Sequence, residues 1–102
     1  MVRHIFLYKV KDGADPKEIL RILNELPKKV PGIRTWTLDK HHGEEGNSGG
    51  LWHYGLVCDF DSFEALQTYS DHPFHQEVVE KLTPMFADRA VCDYEFSNAT
   101  VK

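Results

Sequence analysis

The chain has little of what marks a secreted, membrane-spanning or nucleic-acid-binding protein. Only two of its 102 residues are cysteine, and the net charge is a mild −4. No apolar run approaches the roughly 20 residues of a membrane-spanning helix, and the N-terminus lacks a signal-peptide pattern. No basic stripe with interleaved aromatic residues is present, which disfavours nucleic acid as a partner. We therefore expect a single cytoplasmic domain over 1–102 that binds neither nucleic acid nor membrane.

What is present is a regular succession of strand-like and helix-like segments. Segments rich in β-branched and aromatic residues predict strands over 2–11, 33–40, 51–60 and 90–96. The sequence Asp15-Pro16 marks a helix start, and Pro27 is expected to end or distort the last turn of that helix. A short helix is predicted after Asp61, and a further helix from Pro73 to residue 85 or 86.

The order of these segments is β-α-β-β-α-β, which predicts a ferredoxin-like α+β fold. In that fold one four-stranded antiparallel sheet carries helices on one face. In the third strand, His53, Gly55 and Val57 alternate with a row of larger apolar side chains. Two helices cover only one face of such a sheet, so the second apolar face needs another cover. We therefore expect a homodimer through the outer sheet face, forming a dimeric α+β barrel.

Both cysteines are expected to be buried and reduced. In the ferredoxin-like strand order the first strand lies between the third and the fourth. Cys58 and Cys92 are then about two strand spacings apart, roughly 9–10 Å. A disulfide needs Cα atoms within about 7 Å of each other. The expected separation excludes a bridge and agrees with a cytoplasmic protein.

The segment 69–75, Tyr-Ser-Asp-His-Pro-Phe-His, is the most informative stretch of the chain. Pro73 disfavours helical geometry at His72 and suits the first position of a helix, so a helix break capped by His72 is predicted. His75 then lies in the first turn, where the partial positive charge of the helix end opposes protonation of its imidazole. The helical stripe that it shares with Val79 directs it inward. His75 is thus a candidate general base, and Tyr69 is the second candidate catalytic residue.

Four further residues are candidates for binding a substrate beside this segment: His4, His53, Gly55 and Asp93. We expect the two histidines to share one sheet face and Asp93 to join them from the last strand. Gly55 is expected to leave space beneath the helices. Polar groups gathered in an apolar layer are costly unless hydrogen-bonded, and such gatherings are enriched at functional sites. The alternatives are structural partners for the nitrogens of His75, and a bulge or close backbone contact at Gly55.

Together these motifs resemble the stress-responsive α/β-barrel (Dabb) domain family. The resemblance rests on Val2-Arg3-His4-Ile5, Pro31-Gly32-Ile33, Asp59-Phe60-Asp61-Ser62, the segment 69–75 and Asp93-Tyr94. It implies a dimer whose two sheets form a barrel. In the plant polyketide cyclases of that family, the residues matching Tyr69 and His75 act on a poly-β-keto substrate, and those matching His4 and His53 line the pocket. This chain departs from them in its first helix, which is shorter and carries Leu23 with no tyrosine.

These residues predict a small-molecule pocket and, if it is catalytic, proton transfer next to a carbonyl group, as in a cyclase, lyase or isomerase. Neutral His75 would remove a proton alpha to the carbonyl while the phenol of Tyr69 hydrogen-bonds to the developing enolate oxygen. No cofactor is required. A metal site is disfavoured, because neither the pair His72 and His75 nor the loop 41–50 has recognisable zinc spacing. The alternative function is a non-catalytic stress-response or accessory protein whose pocket is a by-product of packing.

Overall fold

The computed structural model describes residues 1–45 and 50–97, so part of the predicted loop 41–50, residues 46–49, lies outside the described residues. Its four strands are β1 (Val2–Val10), β2 (Thr35–Lys40), β3 (Tyr54–Phe60) and β4 (Phe86–Glu95). They form one antiparallel sheet in the order β2-β3-β1-β4. Because β1 lies between β3 and β4, the predicted ferredoxin-like topology is confirmed.

The helical segments are α1 (Pro16–Leu23), α2 (Leu26–Lys29), α3 (Phe63–Asp71), α4 (Pro73–Leu82) and a 3-10 turn over Thr83–Met85. Helix α1 begins as predicted, because the Asp15 carboxylate accepts a hydrogen bond from the Lys17 backbone N–H at 3.0 Å. The predicted distortion near Pro27 is also confirmed: α1 stops at Leu23, and Pro27 lies in the first turn of the separate helix α2. Within the described residues, no helix has the length and apolarity needed to cross a membrane.

Three boundaries differ from the sequence-based expectation by three or more residues. Helix α4 ends at Leu82 rather than at residue 85 or 86, because Pro84 has no N–H to continue the helical hydrogen bonds. Strand β4 begins at Phe86 rather than at residue 90, since its backbone already pairs with β1 where Arg89 lies opposite Tyr8. Strand β3 begins at Tyr54 rather than at residue 51.

The hydrophobic core lies between the helices and the even-numbered side chains of the two central strands. Helix residues in this core are Ile19, Ile22, Leu23, Leu26, Leu66, Tyr69, Val78 and Leu82. In the β1–β3 register His4 pairs with Cys58 and Leu7 pairs with Gly55. Because successive residues of a strand point to opposite faces, Gly55 lies on the outer face, where a Cβ would meet the Leu7 side chain at 3.5 Å. The expectation that Gly55 leaves space beneath the helices is therefore wrong.

The outer sheet face carries an apolar group of side chains: Ile5, Leu7, Val57, Ala90, Cys92 and Tyr94. Its buried charge, Asp59, is neutralised in place. The Arg3 guanidinium donates to both carboxylate oxygens of Asp59, at 2.8 and 3.1 Å, and the Thr35 hydroxyl donates a third bond at 2.8 Å. Arg3 thereby lowers the pKa of Asp59. The ion pair compensates the buried charge of Asp59, and the further charged side chains on this face are Lys9, Asp39 and Asp88.

The two cysteines point to opposite faces of the sheet. Cys58 pairs with His4 on the helix side and is fully buried, and burial raises the pKa of its thiol to about 12. Cys92 pairs with Ile5 on the outer side and is exposed in the single chain, contrary to the expectation that both are buried. Both thiols are free, as predicted.

Candidate functional site

A cavity of about 300 Å³ lies between the sheet and the helices. Its wall is mostly apolar, with contributions from β1, β3, β4 and all four α-helices. The polar side chains that line it are His4, Tyr69, Ser70, His75, Arg89 and Asp93. A small apolar hollow with a few convergent polar groups is the usual form of a small-molecule site, for which volumes of about 300–1,000 Å³ are typical.

The break between α3 and α4 places the two candidate catalytic residues together. His72 is in the extended backbone region and caps α4, with its Nδ1 accepting a hydrogen bond from the Phe74 N–H at 3.1 Å. The break confirms the structure predicted around Pro73. Tyr69, in the last turn of α3, and His75, in the first turn of α4, then have ring centroids 4.5 Å apart.

His75 is held in a single tautomer by the helix break. Its Nδ1 lies 3.1 Å from the backbone carbonyl oxygen of Ser70, which can only accept a hydrogen bond. Nδ1 therefore carries the proton, and in the neutral ring Nε2 has the free lone pair. Burial lowers the pKa of His75, and the nearby His4 and His72 lower it further. The imidazole is thus suited to accept a proton near neutral pH.

Tyr69 is an almost fully buried phenol at the end of the cavity next to His4. Its side chain is 2% exposed and packs against Phe60, with ring centroids 5.0 Å apart. The ring of His4 lies 6.3 Å from that of Tyr69. Burial raises the pKa of Tyr69, so the phenol keeps its proton and can act as a hydrogen-bond donor.

His4 and Asp93 form a hydrogen-bonded pair on the floor of the cavity. They are direct neighbours across β1 and β4, and the His4 Nδ1 lies 2.5 Å from the Asp93 carboxylate. The His4 side chain is 15% exposed and that of Asp93 32%. A carboxylate on Nδ1 fixes the orientation of the imidazole and leaves Nε2 available to a ligand. The structure therefore brings His4, Asp93, Tyr69 and His75 to one cavity.

His53 and Gly55 do not join this group. His53 lies just before β3 and is exposed, and its Nδ1 accepts a hydrogen bond from the Val10 N–H at 2.7 Å. It lines a separate hollow with His41 and Trp52. The expected shared face of His4 and His53 is wrong, because His53 is an odd number of residues from Cys58, the residue opposite His4.

Arg89 lines the same cavity and was not a candidate from the sequence. It lies on β4 opposite Tyr8, so its side chain faces the helices. The sequence signal was weak, because the expected start of the last strand at residue 90 left Arg89 in a connection. Only the pairing of β4 with β1 brings it into the wall.

No group of three or more metal-binding side chains occurs in residues 1–45 and 50–97. Of the candidate ligands on the described part of the loop, His41 is half-buried, and His42, Glu44 and Glu45 are exposed. The polar residues of the cavity are instead engaged in hydrogen bonds that suit an acid–base site: His75 with Ser70, and His4 with Asp93.

The chain is similar to proteins from bacteria and plants over most of its length. An uncharacterized protein of Streptomyces coelicolor is 27% identical over 101 residues, covering 94% of this chain and all of that protein. A dimeric protein of unknown function with a ferredoxin-like fold from Bacteroides fragilis is 30% identical, with a TM-score of 0.64 over 93% of this chain and 95% of that one. The hydroxynitrile lyase from Passiflora edulis is 19% identical, with a TM-score of 0.84 over 98% of this chain and 96% of that one.

At that last level of identity the similarity shows the fold alone. The family itself is shown by a match to the model described as the Stress responsive A/B Barrel Domain, which extends over residues 2–96. The chain therefore belongs to the stress-responsive A/B barrel (Dabb) domain family.

Proposed function

We propose that this protein is a cofactor-independent enzyme that moves a proton next to a carbonyl group of a small, mostly apolar substrate. The observation that carries the proposal is the arrangement of His75 and Tyr69 in the cavity wall. A neutral imidazole with its Nδ1 proton bound to Ser70 presents a basic Nε2. A protonated phenol lies beside it, with ring centroids 4.5 Å apart.

The reaction begins when Nε2 of His75 takes the proton from the carbon alpha to the carbonyl. The C–H electron pair forms the enolate double bond, and negative charge develops on the carbonyl oxygen. The Tyr69 hydroxyl donates a hydrogen bond to that oxygen. Protonated His75 then returns its proton at another atom, which isomerises the substrate. Alternatively, the enolate carbon attacks a second carbonyl and closes a ring, and the alkoxide oxygen formed there takes the proton from His75. His4, oriented by Asp93, positions the substrate.

Carbon–carbon bond cleavage is possible with the same two groups. In a cyanohydrin, His75 would remove the hydroxyl proton, the carbonyl would form as the bond to the nitrile carbon breaks, and cyanide would leave and take up the proton. Because the fold is similar to that of a hydroxynitrile lyase, cyanohydrins are a specific substrate class to test. It requires the same base and the same cavity as the enolate reaction.

We further propose that the protein works as a homodimer through the outer sheet face. That face presents Ile5, Leu7 and Val57 in its centre, and Tyr94 is 40% exposed in the single chain. The similar proteins described as dimeric with a ferredoxin-like fold support this assembly. The free thiols suit a reducing compartment such as the cytoplasm.

The test uses the purified protein with a panel of small ketones, β-diketones and aromatic cyanohydrins. Exchange of alpha protons in deuterated water is followed by NMR, and aldehyde release from the cyanohydrins is followed by absorbance. Acid–base catalysis contributes about 10²–10⁴-fold. We therefore expect His75→Gln and Tyr69→Phe each to lower turnover of an accepted substrate by about 100-fold or more.

The matched controls are His42→Gln, at an exposed histidine, and Tyr8→Phe, at a buried tyrosine outside the cavity lining. Both should keep the wild-type rate, and light scattering should find every variant as a dimer. Wild-type rates in His75→Gln and Tyr69→Phe would contradict the mechanism. No reaction with any member of the panel would favour the alternative, a non-catalytic stress-response or accessory protein.

A further inference from the structure

Arg89 is unlike the other arginines of the chain. The guanidinium of each of the other three donates two hydrogen bonds to one carboxylate. The pairs are Arg3 with Asp59, Arg21 with Glu18 and Arg34 with Asp61. Among the described residues Arg89 has no carboxylate partner. Its guanidinium makes one long hydrogen bond, from Nη1 to the hydroxyl oxygen of Thr83 at 3.5 Å.

That one contact orients Arg89 without neutralising it. The Thr83 hydroxyl donates its own hydrogen to the backbone carbonyl of Val79 at 2.6 Å, so its oxygen is left as an acceptor for the guanidinium. A hydroxyl carries no compensating charge. The positive charge therefore remains available to a ligand, at an exposed position of the cavity wall beside Val91 and Phe86.

The position of Arg89 relative to the proposed catalytic groups defines the shape of such a ligand. Arg89 and Asp93 lie on the same face of β4, four residues and about 13 Å apart along the strand. Asp93 holds His4, which lies beside Tyr69. A molecule that reaches from Tyr69 to Arg89 needs an anionic group at one end, an apolar middle and its carbonyl at the other end.

We propose that Arg89 determines the specificity of this site by binding the carboxylate of a keto acid. This inference rests on the proposed function and names its substrate class. The planar fork of an arginine can donate two parallel hydrogen bonds to a carboxylate, which fixes the orientation of the substrate as well as its charge. The carboxylate at Arg89 holds the reacting carbonyl at the opposite end of the cavity, against Tyr69 and His75.

The experiment measures binding rather than turnover. Benzoylpropionate and its amide have the same aryl ketone and differ in the charge at the far end, and their dissociation constants are determined by calorimetry. Hydrogen bonds to charged groups are among the strong ones, so we expect the wild-type protein to prefer the acid by about tenfold or more. Arg89→Gln should remove the preference by weakening the binding of the acid alone, and Arg89→Lys should keep part of the preference.

Arg21→Gln is the matched control, because Arg21 lies on the exposed surface of α1 with its own carboxylate partner. It should keep the full preference. His75→Gln should also keep it, so a failure of the acid–base mechanism would not be mistaken for a failure of carboxylate binding. Equal affinity for acid and amide in the wild type, an unchanged preference in Arg89→Gln, or no binding of the acid at millimolar concentration would overturn the proposal. Dissociation of the dimer in Arg89→Gln would also overturn it, by assigning Arg89 to the subunit interface.

Discussion

Tyr8 and Tyr69 are both almost fully buried on the helix side of the sheet, yet their surroundings differ. Tyr8 lies in an aromatic stack, with ring centroids 5.2 Å from Tyr54 and 4.8 Å from Phe86. Its hydroxyl has no hydrogen-bond partner among the described residues. Tyr69 shares its surroundings with imidazoles and lines the cavity.

Burial raises the pKa of both phenols, so the raised pKa does not distinguish a structural tyrosine from a candidate catalytic one. The neighbours distinguish them. Beside Tyr8 lie the aromatic rings of Tyr54 and Phe86, whereas beside Tyr69 there is an imidazole whose tautomer is fixed by a backbone carbonyl. We therefore expect Tyr8 to contribute to stability and Tyr69 to contribute to activity.

The largest effect that follows from this contrast is on stability. Tyr8→Ala removes a fully buried ring from the centre of the aromatic stack, and large-to-small changes of aromatic core residues cost about 3–5 kcal/mol. We expect a loss of that size in the free energy of unfolding, measured by urea at fixed protein concentration. The matched control is Val91→Ala, whose side chain is 56% exposed. That change should stay within about 0.5 kcal/mol. A loss below about 1 kcal/mol for Tyr8→Ala would show that the aromatic stack around Tyr8 is loosely packed.

The elements around Tyr69 could be predicted from the sequence because their signals are local. Pro73 dictates the start of α4, the residue before a proline leaves the helical region, and a 3.6-residue period directs His75 inward. None of these steps needs to know how the strands pair. The same holds for the cap at Asp15.

The errors at the candidate site lie where the answer depends on strand register. A shift of one residue moves a strand's side chains to the opposite face, so His53 and Gly55 could be assigned correctly only by knowing which residue lies opposite His4. The start of β4 was missed for a similar reason, because Arg89 enters the sheet through backbone pairing with β1 rather than through an apolar pattern. The helix side of the cavity wall was therefore predictable; on its sheet side His4 and Asp93 were candidates from the sequence, and Arg89 was missed.

A second prediction concerns the response of stability to pH at the Tyr69 end. The pKa of His75 is lowered in the folded protein, below the value of about 6.5 for the unfolded chain. Between these two pKa values the unfolded state binds more protons, so stability rises with pH across this interval and is lost as the pH falls through it. One such group changes the free energy of unfolding by at most about 1.4 kcal/mol per pH unit.

The measurement is a series of urea unfolding curves from neutral pH down to about pH 5. The difference in the free energy of unfolding between wild type and His75→Gln, taken at each pH, separates the contribution of this imidazole from that of the other titrating groups. We expect the wild type to lose stability relative to His75→Gln as the pH falls below about 6.5, because the variant has no imidazole to protonate. The exposed variant His42→Gln should follow the wild type. A difference that is constant over the range would mean that His75 titrates equally in both states.

The smallest effect, and the sharpest contrast between the two tyrosines, is expected from removing single hydroxyl groups. An unpartnered hydroxyl in an apolar stack has lost its hydrogen bonds to water without regaining them, which is unfavourable by about 1–3 kcal/mol for a fully desolvated group. Tyr8→Phe removes that cost and keeps the ring. We therefore expect the free energy of unfolding to rise by up to about 1 kcal/mol and the activity to stay unchanged. Tyr69→Phe should change activity instead. A loss of stability in Tyr8→Phe would reveal an ordered water bonded to the Tyr8 hydroxyl. The surroundings of Tyr8 would then be polar, as those of Tyr69 are.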